Sequence, residues 1–225
     1  MKPQLTYSEA IARVLEDNGG AAHLSYIYEH LETYRKMTGK TPEKTIQERL
    51  QRDERFTRIG RGIYALTEVL SKLENNDTGV FEIKSNQIVF VKKEQTEAVK
   101  KTKIRLGQNK FRSELLKTLK ACPITGIDDK RLLIASHIKP WVFSTPEERL
   151  NPLNGLLLSP LFDRLFDKSV GLITFTPEKY ILISDKLSPK NRKKLGIPHK
   201  TIIKSLPVEG REEFLEFHRK YIFQG

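Results

Sequence analysis

The sequence predicts an α+β protein in two folded parts joined by a basic linker. In residues 1–68, apolar side chains recur at helical spacing in three consecutive segments, and alternating residues then flank Gly60-Arg61-Gly62, as in a β-hairpin. In the C-terminal half, two β-prone runs, RLLIASHI and NPLNGLLL, precede a short apolar helix that starts at Pro160. These patterns predict domains at residues 1–68 and 107–225, with a linker at 69–106.

The N-terminal elements follow from their caps and apolar residues. SEAIARVLED predicts a first helix with Ser8 as its N-cap, and Asn18-Gly19-Gly20 ends it. LSYIYEHLETY predicts a second helix, and TPEKTIQERLQRD predicts a third with Thr41 as its N-cap and Pro42 at its first position. Three helices followed by a two-stranded wing resemble the winged helix-turn-helix modules of some bacterial restriction enzymes and of helix-turn-helix regulators.

That resemblance implies that the third helix is a recognition helix. Its outward side presents Lys44, Gln47 and Gln51 at i, i+3 and i+7, and these side chains suit base edges and phosphates. A solvated helix face explains the same residues equally well. Residues 1–68 carry a net charge of only +1, which weakens the DNA-binding interpretation. Both interpretations stay open.

The whole chain is strongly basic. Forty Lys and Arg against 28 Asp and Glu give a net charge of +12, with +6 in residues 69–120 and +5 in residues 121–225. Such an excess suits a polyanionic partner, which we expect to be double-stranded DNA. The stretch SPKNRKKLG fits either a phosphate-binding segment or a solvated loop.

Composition excludes several other classes of protein. No stretch approaches the ~18 uninterrupted apolar residues of a membrane helix, so no membrane span is expected. The first ten residues lack an apolar segment, so we expect no secretory signal and a reducing, cytoplasmic location. The single cysteine, Cys122, excludes an internal disulfide and a zinc ribbon. Any metal must therefore bind to oxygen or nitrogen ligands.

The remaining elements are predicted from shorter patterns. The linker contains a lysine-rich run, IKSNQIVFVKK, that suggests a short hairpin or a strand. A helix with Phe111 and Leu115 on its apolar face opens the second domain, and a closing helix places Phe214 and Phe217 on one side. A second hairpin is expected around Pro177-Glu178-Lys179.

Two carboxylates stand out on the helix that starts at Pro160. Asp163 and Asp167 are four residues apart, next to the apolar face of that helix. Like charges at this spacing repel each other unless a cation or a basic side chain lies between them. A metal ion satisfies this requirement, and so does pairing of Asp167 with Arg164 or Lys168.

The order and spacing of these residues resemble the ββα-metal nucleases of the HNH family. The segments that carry the resemblance are ASHIKPW and ERLNPLNGLLLSPLFDRLFDKSVGLITF, within residues 105–185. The resemblance implies that His137 is the general base, that Asn154 orients it, and that Asp163 and Asp167 bind one divalent metal ion per site. Because carboxylates are hard oxygen ligands, the ion is expected to be Mg²⁺ or Mn²⁺. A turn residue is a second interpretation of Asn154.

The chain departs from the family pattern next to His137, and one residue of the following loop has two interpretations. Many members have an acidic residue or histidine just before the base, where this chain has Ser136. In the loop that follows, Lys139, Trp141 and Arg149 are candidates for contact with the DNA backbone, although Trp141 also suits a core position. No role is assigned to His218.

The leading hypothesis is a restriction-type DNA endonuclease that hydrolyses phosphodiester bonds. A non-catalytic winged-helix DNA-binding regulator is the first alternative. An HNH nuclease that acts on RNA or on branched DNA is the second. The sequence does not distinguish a monomer from a homodimer.

Overall fold

The computed structural model describes residues 5–76, 79–84, 87–92, 100–196 and 199–225. It divides the chain into two compact units, Met1–Ala98 and Val99–Gly225. The predicted boundaries at residues 68 and 106 therefore differ from the boundary between the units. Within the described ranges, no helix combines the length and the apolar character needed to cross a membrane.

The first unit combines helices with a three-stranded antiparallel sheet of order β1-β3-β2 and a separate hairpin. Its elements are α1 (Tyr7–Asp17), β1 (Ala21–His23), α2 (Leu24–His30), α3 (Pro42–Arg52), β2 (Phe56–Gly60), β3 (Ile63–Leu66), α4 (Thr67–Asn76), β4 (Gly79–Lys84) and β5 (Gln87–Lys92). The three predicted helices and the hairpin around Gly60-Arg61-Gly62 are present, and β1 is an additional strand that pairs with β3.

The cap of α1 differs from the prediction. Thr6, not Ser8, is the N-cap: its side chain accepts a hydrogen bond from the backbone of Glu9, whose carboxylate accepts one in return from the backbone of Thr6. This capping box satisfies two backbone N–H groups at the start of the helix, which a cap at Ser8 would not do here. Thr41 lies at the N-cap of α3 without a side-chain hydrogen bond, and Pro42 is at the predicted first position.

The hairpin of β4 and β5 belongs to the first unit. The side chain of Asn18 donates a hydrogen bond to the carbonyl of Ile88 at 3.2 Å, next to the end of α1. Gly19 has a φ of 75°, and a Cβ there would lie 3.1 Å from the Cβ of Phe90, so glycine permits both the turn and the close approach. The predicted linker thus contributes a folded hairpin that contacts the N-terminal helices.

The second unit contains two small antiparallel sheets, one of order β6-β7 and one of order β10-β9-β8. Its elements are α5 (Lys100–Thr118), β6 (Ile134–His137), α6 (Pro146–Leu150), β7 (Gly155–Leu158), α7 (Pro160–Phe166), β8 (Ile173–Phe175), β9 (Tyr180–Ile183), α8 (Pro189–Leu195), β10 (Thr201–Ile202) and α9 (Glu212–Phe217), which continues as a π-helical turn over His218–Ile222. The strands and helices predicted for the site are present in the predicted order.

One core joins these elements. Leu156, Leu157 and Leu158 of β7 are buried on both faces of the strand, which explains why this run is uniformly apolar instead of alternating. Phe162 and Phe166 of α7 pack into the same core. Ser159 is the N-cap of α7 but makes no side-chain capping bond. The β6–β7 hairpin and α7 are therefore held together by apolar packing.

His218 is a buried structural residue. Its Nε2 lies 2.8 Å from the carbonyl oxygen of Phe166 and its Nδ1 lies 2.9 Å from the hydroxyl of Thr174. Because a carbonyl only accepts, Nε2 carries the proton and Nδ1 accepts from Thr174. The imidazole also stacks on the Phe166 ring at 3.8 Å. It thereby ties the C-terminal helix to the end of α7.

Acid should destabilise the second unit through His218. Burial lowers its pKa to about 3, below the ordinary value of 6.5. The unfolded chain therefore binds this proton first as the pH falls, so stability is complete above about pH 6.5 and falls by up to about 1.4 kcal/mol per pH unit below it. We expect His218→Asn to remove about 2 kcal/mol of the stability difference between pH 7 and pH 5. Urea unfolding of both proteins at both pH values measures this, and an unchanged pH dependence in the variant would contradict it.

Candidate active site

The candidate site lies where β6 ends, beside α5. His137 is the last residue of β6 and pairs with Gly155 of β7. A Cβ on Gly155 would lie 2.5 Å from the ring of Phe111 and 2.7 Å from Leu115, so the glycine allows α5 to approach the hairpin closely. This close approach brings the Phe111 ring to His137.

Two aromatic rings and one carbonyl hold the imidazole of His137. It stacks on Phe111 with a centroid separation of 3.9 Å and an interplanar angle of 9°, and Trp141 lies perpendicular to it at 5.7 Å. Its Nε2 is 2.9 Å from the carbonyl oxygen of Arg149. Since this oxygen can only accept, Nε2 carries the proton and Nδ1 keeps its lone pair. Nδ1 is therefore the ring atom that can accept a proton.

The surroundings of His137 favour its neutral form. Burial lowers its pKa, the hydrogen bond to the Arg149 carbonyl opposes this effect, and the positive charge of Lys168 lowers the pKa further. The net result is a pKa below 6.5, so the imidazole is unprotonated at neutral pH. A neutral, oriented imidazole can accept a proton from water.

The structure corrects the predicted role of Arg149. Its side chain is only 2 % exposed, and its Nε donates to the carbonyl of Trp141 at 3.1 Å while the guanidinium lies 4.8 Å from the centre of the Trp141 ring. Burial lowers the pKa of Arg149 to about 10, which still leaves it charged at neutral pH. A buried guanidinium does not reach a DNA phosphate, so Arg149 stabilises the loop and supplies the carbonyl that binds His137.

Lys139 is also engaged within the protein. Its Nζ lies 2.8 Å from both carboxylate oxygens of Glu148, and both side chains are largely buried. Glu148 in turn accepts a hydrogen bond from the backbone of Thr145 and completes a capping box at the start of α6. The ion pair therefore closes the loop between β6 and β7, and contact of Lys139 with DNA remains a prediction that would require this pair to open.

Asn154 is fully buried at the centre of the same loop. Its Oδ1 accepts from the backbone of Lys139 at 2.8 Å, and its Nδ2 lies within 3.2 Å of the carbonyls of Lys139 and Glu148 and of the Ser144 hydroxyl. Within the described part of the chain, none of these bonds goes to the imidazole. Asn154 instead holds the backbone next to Arg149, so any orientation of His137 by Asn154 is indirect.

Asp163 is a half-buried carboxylate on α7 that faces β6. Ser136 of β6, which is buried, lies near this carboxylate. Burial raises the pKa of Asp163, the Ser136 side chain opposes this effect, and the negative charge of Asp167 raises the pKa further against a smaller opposing effect of Arg164. A nearby cation would relieve this repulsion.

Asp167 lies at the C-terminal cap of α7, where the backbone leaves the helix. Its Oδ1 accepts hydrogen bonds from the backbone N–H and the hydroxyl of Ser169. Arg164 approaches the same oxygen at 4.0 Å, and 70 % of its side chain is exposed. Such a distant, exposed pair contributes little to stability.

The carboxylates fit a hard divalent cation better than a zinc ion. Among the residues that the structure describes, no three His, Cys, Asp or Glu side chains come together as a metal site. The protein therefore offers Asp163, with Asp167 near it, as acidic ligands. Mg²⁺ and Mn²⁺ accept such a site, because they keep several waters and share the rest of their coordination with phosphate.

The three residues predicted to read DNA lie on α3 of the first unit. Lys44 and Gln51 are exposed, whereas Gln47 is half-buried and donates a hydrogen bond to the hydroxyl of Tyr28 at 2.6 Å. Two of the three are thus free of a structural role in this part of the fold. Gln47 would have to leave Tyr28 to reach a base.

Several neighbours of His137 were not predicted from the sequence. Phe111 lies 26 residues before it, and only the packing of α5 brings their rings together. The Arg149 carbonyl gives no signal in a sequence, because every residue carries one. The positive charge of Lys168 lowers the pKa of His137, although 31 positions separate the two residues in the sequence. The sequence signal for Lys168 is its place next to Asp167, one of the predicted site residues.

Comparison with known proteins agrees with this geometry. Residues 122–176, about a quarter of the chain, match the HNH_2 family model, described as an HNH endonuclease. The matched stretch includes His137, Asn154, Asp163 and Asp167. A search of curated proteins found no match. The match supports an HNH nuclease, with hydrolase activity at the level of the family.

Proposed function

We propose that this protein is a metal-dependent DNA endonuclease of restriction type in which His137 is the general base. The observation that carries the proposal is the hydrogen bond from His137 Nε2 to the Arg149 carbonyl at 2.9 Å, because it leaves Nδ1 as the basic atom. The position of this histidine within the segment that matches an HNH endonuclease supports the reaction class.

The chain's own residues account for the proton transfer. Nδ1 of His137 accepts a proton from a water molecule, and the resulting hydroxide attacks the phosphorus while the bond to the 3′ oxygen breaks. The Arg149 carbonyl stabilises the imidazolium that forms, since the Nε2–H bond strengthens when the ring becomes positive. Asn154 and the Lys139–Glu148 ion pair keep the loop in place.

A divalent ion would bind to Asp163, with Asp167 as a second carboxylate. When bound, it supplies positive charge to the phosphate and to the leaving oxygen. Mg²⁺ and Mn²⁺ are proposed because the donors are carboxylates and because burial and the negative charge of Asp167 raise the pKa of Asp163, which a bound cation would offset. Ser136 of β6 lies near this carboxylate.

Incubation with plasmid DNA tests the proposal. Purified protein is mixed with modified and with unmodified plasmid in the presence of Mg²⁺ or Mn²⁺, and parallel samples contain EDTA. We expect nicked or linear DNA and discrete fragments that depend on the ion. Intact plasmid under all conditions, with folded protein, would overturn the proposal in favour of a non-catalytic DNA-binding protein.

The first unit is proposed to select the cleavage site as a winged-helix module. Its first three helices and its three-stranded sheet support this, with α3 as the recognition helix that exposes Lys44 and Gln51. Residues 1–98 carry fifteen basic and fifteen acidic residues, whereas residues 99–225 carry 25 and thirteen, a net charge of +12. Base contacts specify a sequence, while phosphate contacts supply most salt-dependent affinity.

Deletion of residues 1–98 should separate these two contributions. We expect the remaining fragment to bind and nick DNA with a similar dependence on salt, because it retains the entire net charge of +12. It should lose the discrete fragment pattern, since base readout is assigned to α3. Gel electrophoresis of plasmid digests measures the pattern. Identical fragments from the full chain and the truncated chain would move site selection to the second unit.

A further inference from the structure

Five exposed lysines on and after α8 lack an acidic partner. Lys190, Lys193 and Lys194 belong to α8, and Lys200 and Lys204 lie on either side of β10. None of the five pairs with a carboxylate in the described part of the chain, where the local ion pair joins Arg192 to Asp185. We call these five residues the α8 surface.

The positive charge in this region is concentrated, and the ion pair of Arg192 with Asp185 offsets one of its charges. Residues 186–204 contain seven Lys or Arg and no Asp or Glu, which is more than half of the chain's net charge of +12. Positive side chains gathered in this way repel one another and create a strong local potential. A polyanion relieves the repulsion and releases its own counterions on binding.

The backbone under the α8 surface is anchored to strand β9. Arg192 of α8 bonds to Asp185 and to the carbonyl of Leu187, both at 2.9 Å. After the helix, the side chain of His199 accepts from the backbone of Ile183, and the backbone of Lys200 donates to Ile181. Binding would therefore order mainly the lysine side chains, which keeps its entropic cost low.

The two basic residues of the loop between β6 and β7 are engaged within the protein. Lys139 is paired with Glu148, and Arg149 is buried. A nuclease still needs phosphate contacts to hold its substrate, because these contacts supply non-specific affinity and fix the register of the protein on the duplex. Among the side chains of this unit that the structure describes, the unpaired cations that cluster most densely in sequence are those of the α8 surface.

We propose that the α8 surface binds the sugar–phosphate backbone of double-stranded DNA. The choice of DNA as the polyanion rests on the proposed function. The surface contributes affinity and not chemistry, since its lysines are absent from the arrangement that holds His137.

Salt-dependent binding of the full chain tests this assignment. A fluorescent DNA duplex of about 30 base pairs is titrated with protein in EDTA, and the dissociation constant is measured by anisotropy at several KCl concentrations. The test variant is Lys190→Gln/Lys193→Gln/Lys194→Gln, because glutamine preserves helix propensity. The control is Lys110→Gln/Lys117→Gln/Lys120→Gln, which removes the same charge from exposed lysines on and after α5.

The test variant should bind more weakly, and its log–log salt slope should be smaller by about 0.9 for each lost phosphate contact, up to ~2.7 for three. The control should change the slope by less than one contact. Arginine at the same three positions of α8 should restore the slope, which separates loss of charge from misfolding. Equal slopes in the test variant and the control would overturn the inference, and so would tighter binding to an RNA duplex of the same length.

The binding result is independent of cleavage, because EDTA removes the divalent ion. A protein that binds duplex DNA through the α8 surface but leaves plasmid intact would retain this inference and overturn the proposed nuclease function. If the protein cleaves plasmid but the test variant keeps the wild-type salt slope, the nuclease function is retained and the DNA-binding role of the α8 surface is overturned.

Discussion

His137→Ala should abolish DNA cleavage while duplex binding stays within about twofold of the unmodified protein. The general base acts in the chemical step and contributes ~10²–10⁴-fold to the rate. Binding should persist because the imidazole is neutral at neutral pH and its Nε2–H is already bonded to the Arg149 carbonyl. Single-turnover cleavage of labelled DNA and anisotropy in EDTA measure the two effects separately.

A second histidine serves as the control for that experiment. His199→Ala removes an exposed imidazole from the same unit and should leave the single-turnover cleavage rate at saturating protein unchanged, because any effect of its bond with Ile183 on the α8 surface would alter affinity and not chemistry. His137→Ala also removes a ring that stacks on Phe111, so its thermal unfolding must be compared with that of the unmodified chain. Wild-type cleavage by folded His137→Ala protein would exclude this residue as the base.

Asp163→Asn should eliminate metal-dependent cleavage without harming the fold. Loss of the principal carboxylate removes several kcal/mol of charge stabilisation, on the order of a 10²- to 10³-fold loss of rate. The variant should be at least as stable as the unmodified protein in EDTA, because burial and Asp167 already disfavour the charged form of Asp163. Added Mn²⁺ should raise the melting temperature of the unmodified protein and not that of the variant.

Asp167→Asn gives the matched comparison on the same helix. If Asp167 is a second ligand, cleavage should fall at least about tenfold and the Mn²⁺ dependence should shift to higher concentration. Wild-type activity would assign Asp167 to the turn that it forms with Ser169 and to its distant pair with Arg164. An Asp163→Asn protein that still responds to Mn²⁺ would remove Asp163 from the proposed metal site.

Local patterns in the sequence were sufficient for the elements and their order. The three N-terminal helices, both hairpins of the C-terminal half and the short helix with Asp163 follow from apolar spacing and from Pro and Gly positions. The sequence did not locate the end of the first unit. Contacts of the β4–β5 hairpin with Asn18 and Gly19 decide that boundary, and they join residues about 70 positions apart.

In the candidate site, too, some features follow from the sequence and others only from the tertiary structure. The sequence by itself determined which residue types are available, namely one histidine at a strand end, an asparagine before the second strand and two carboxylates on a helix, and their spacing was enough to indicate a resemblance to the HNH family. Only the tertiary structure decided which nitrogen of His137 keeps its lone pair, because the bond from Nε2 to the Arg149 carbonyl depends on how the loop closes. It likewise decided that Arg149 is buried and that Lys139 is paired, since solvent exposure is a property of packing and not of residue type.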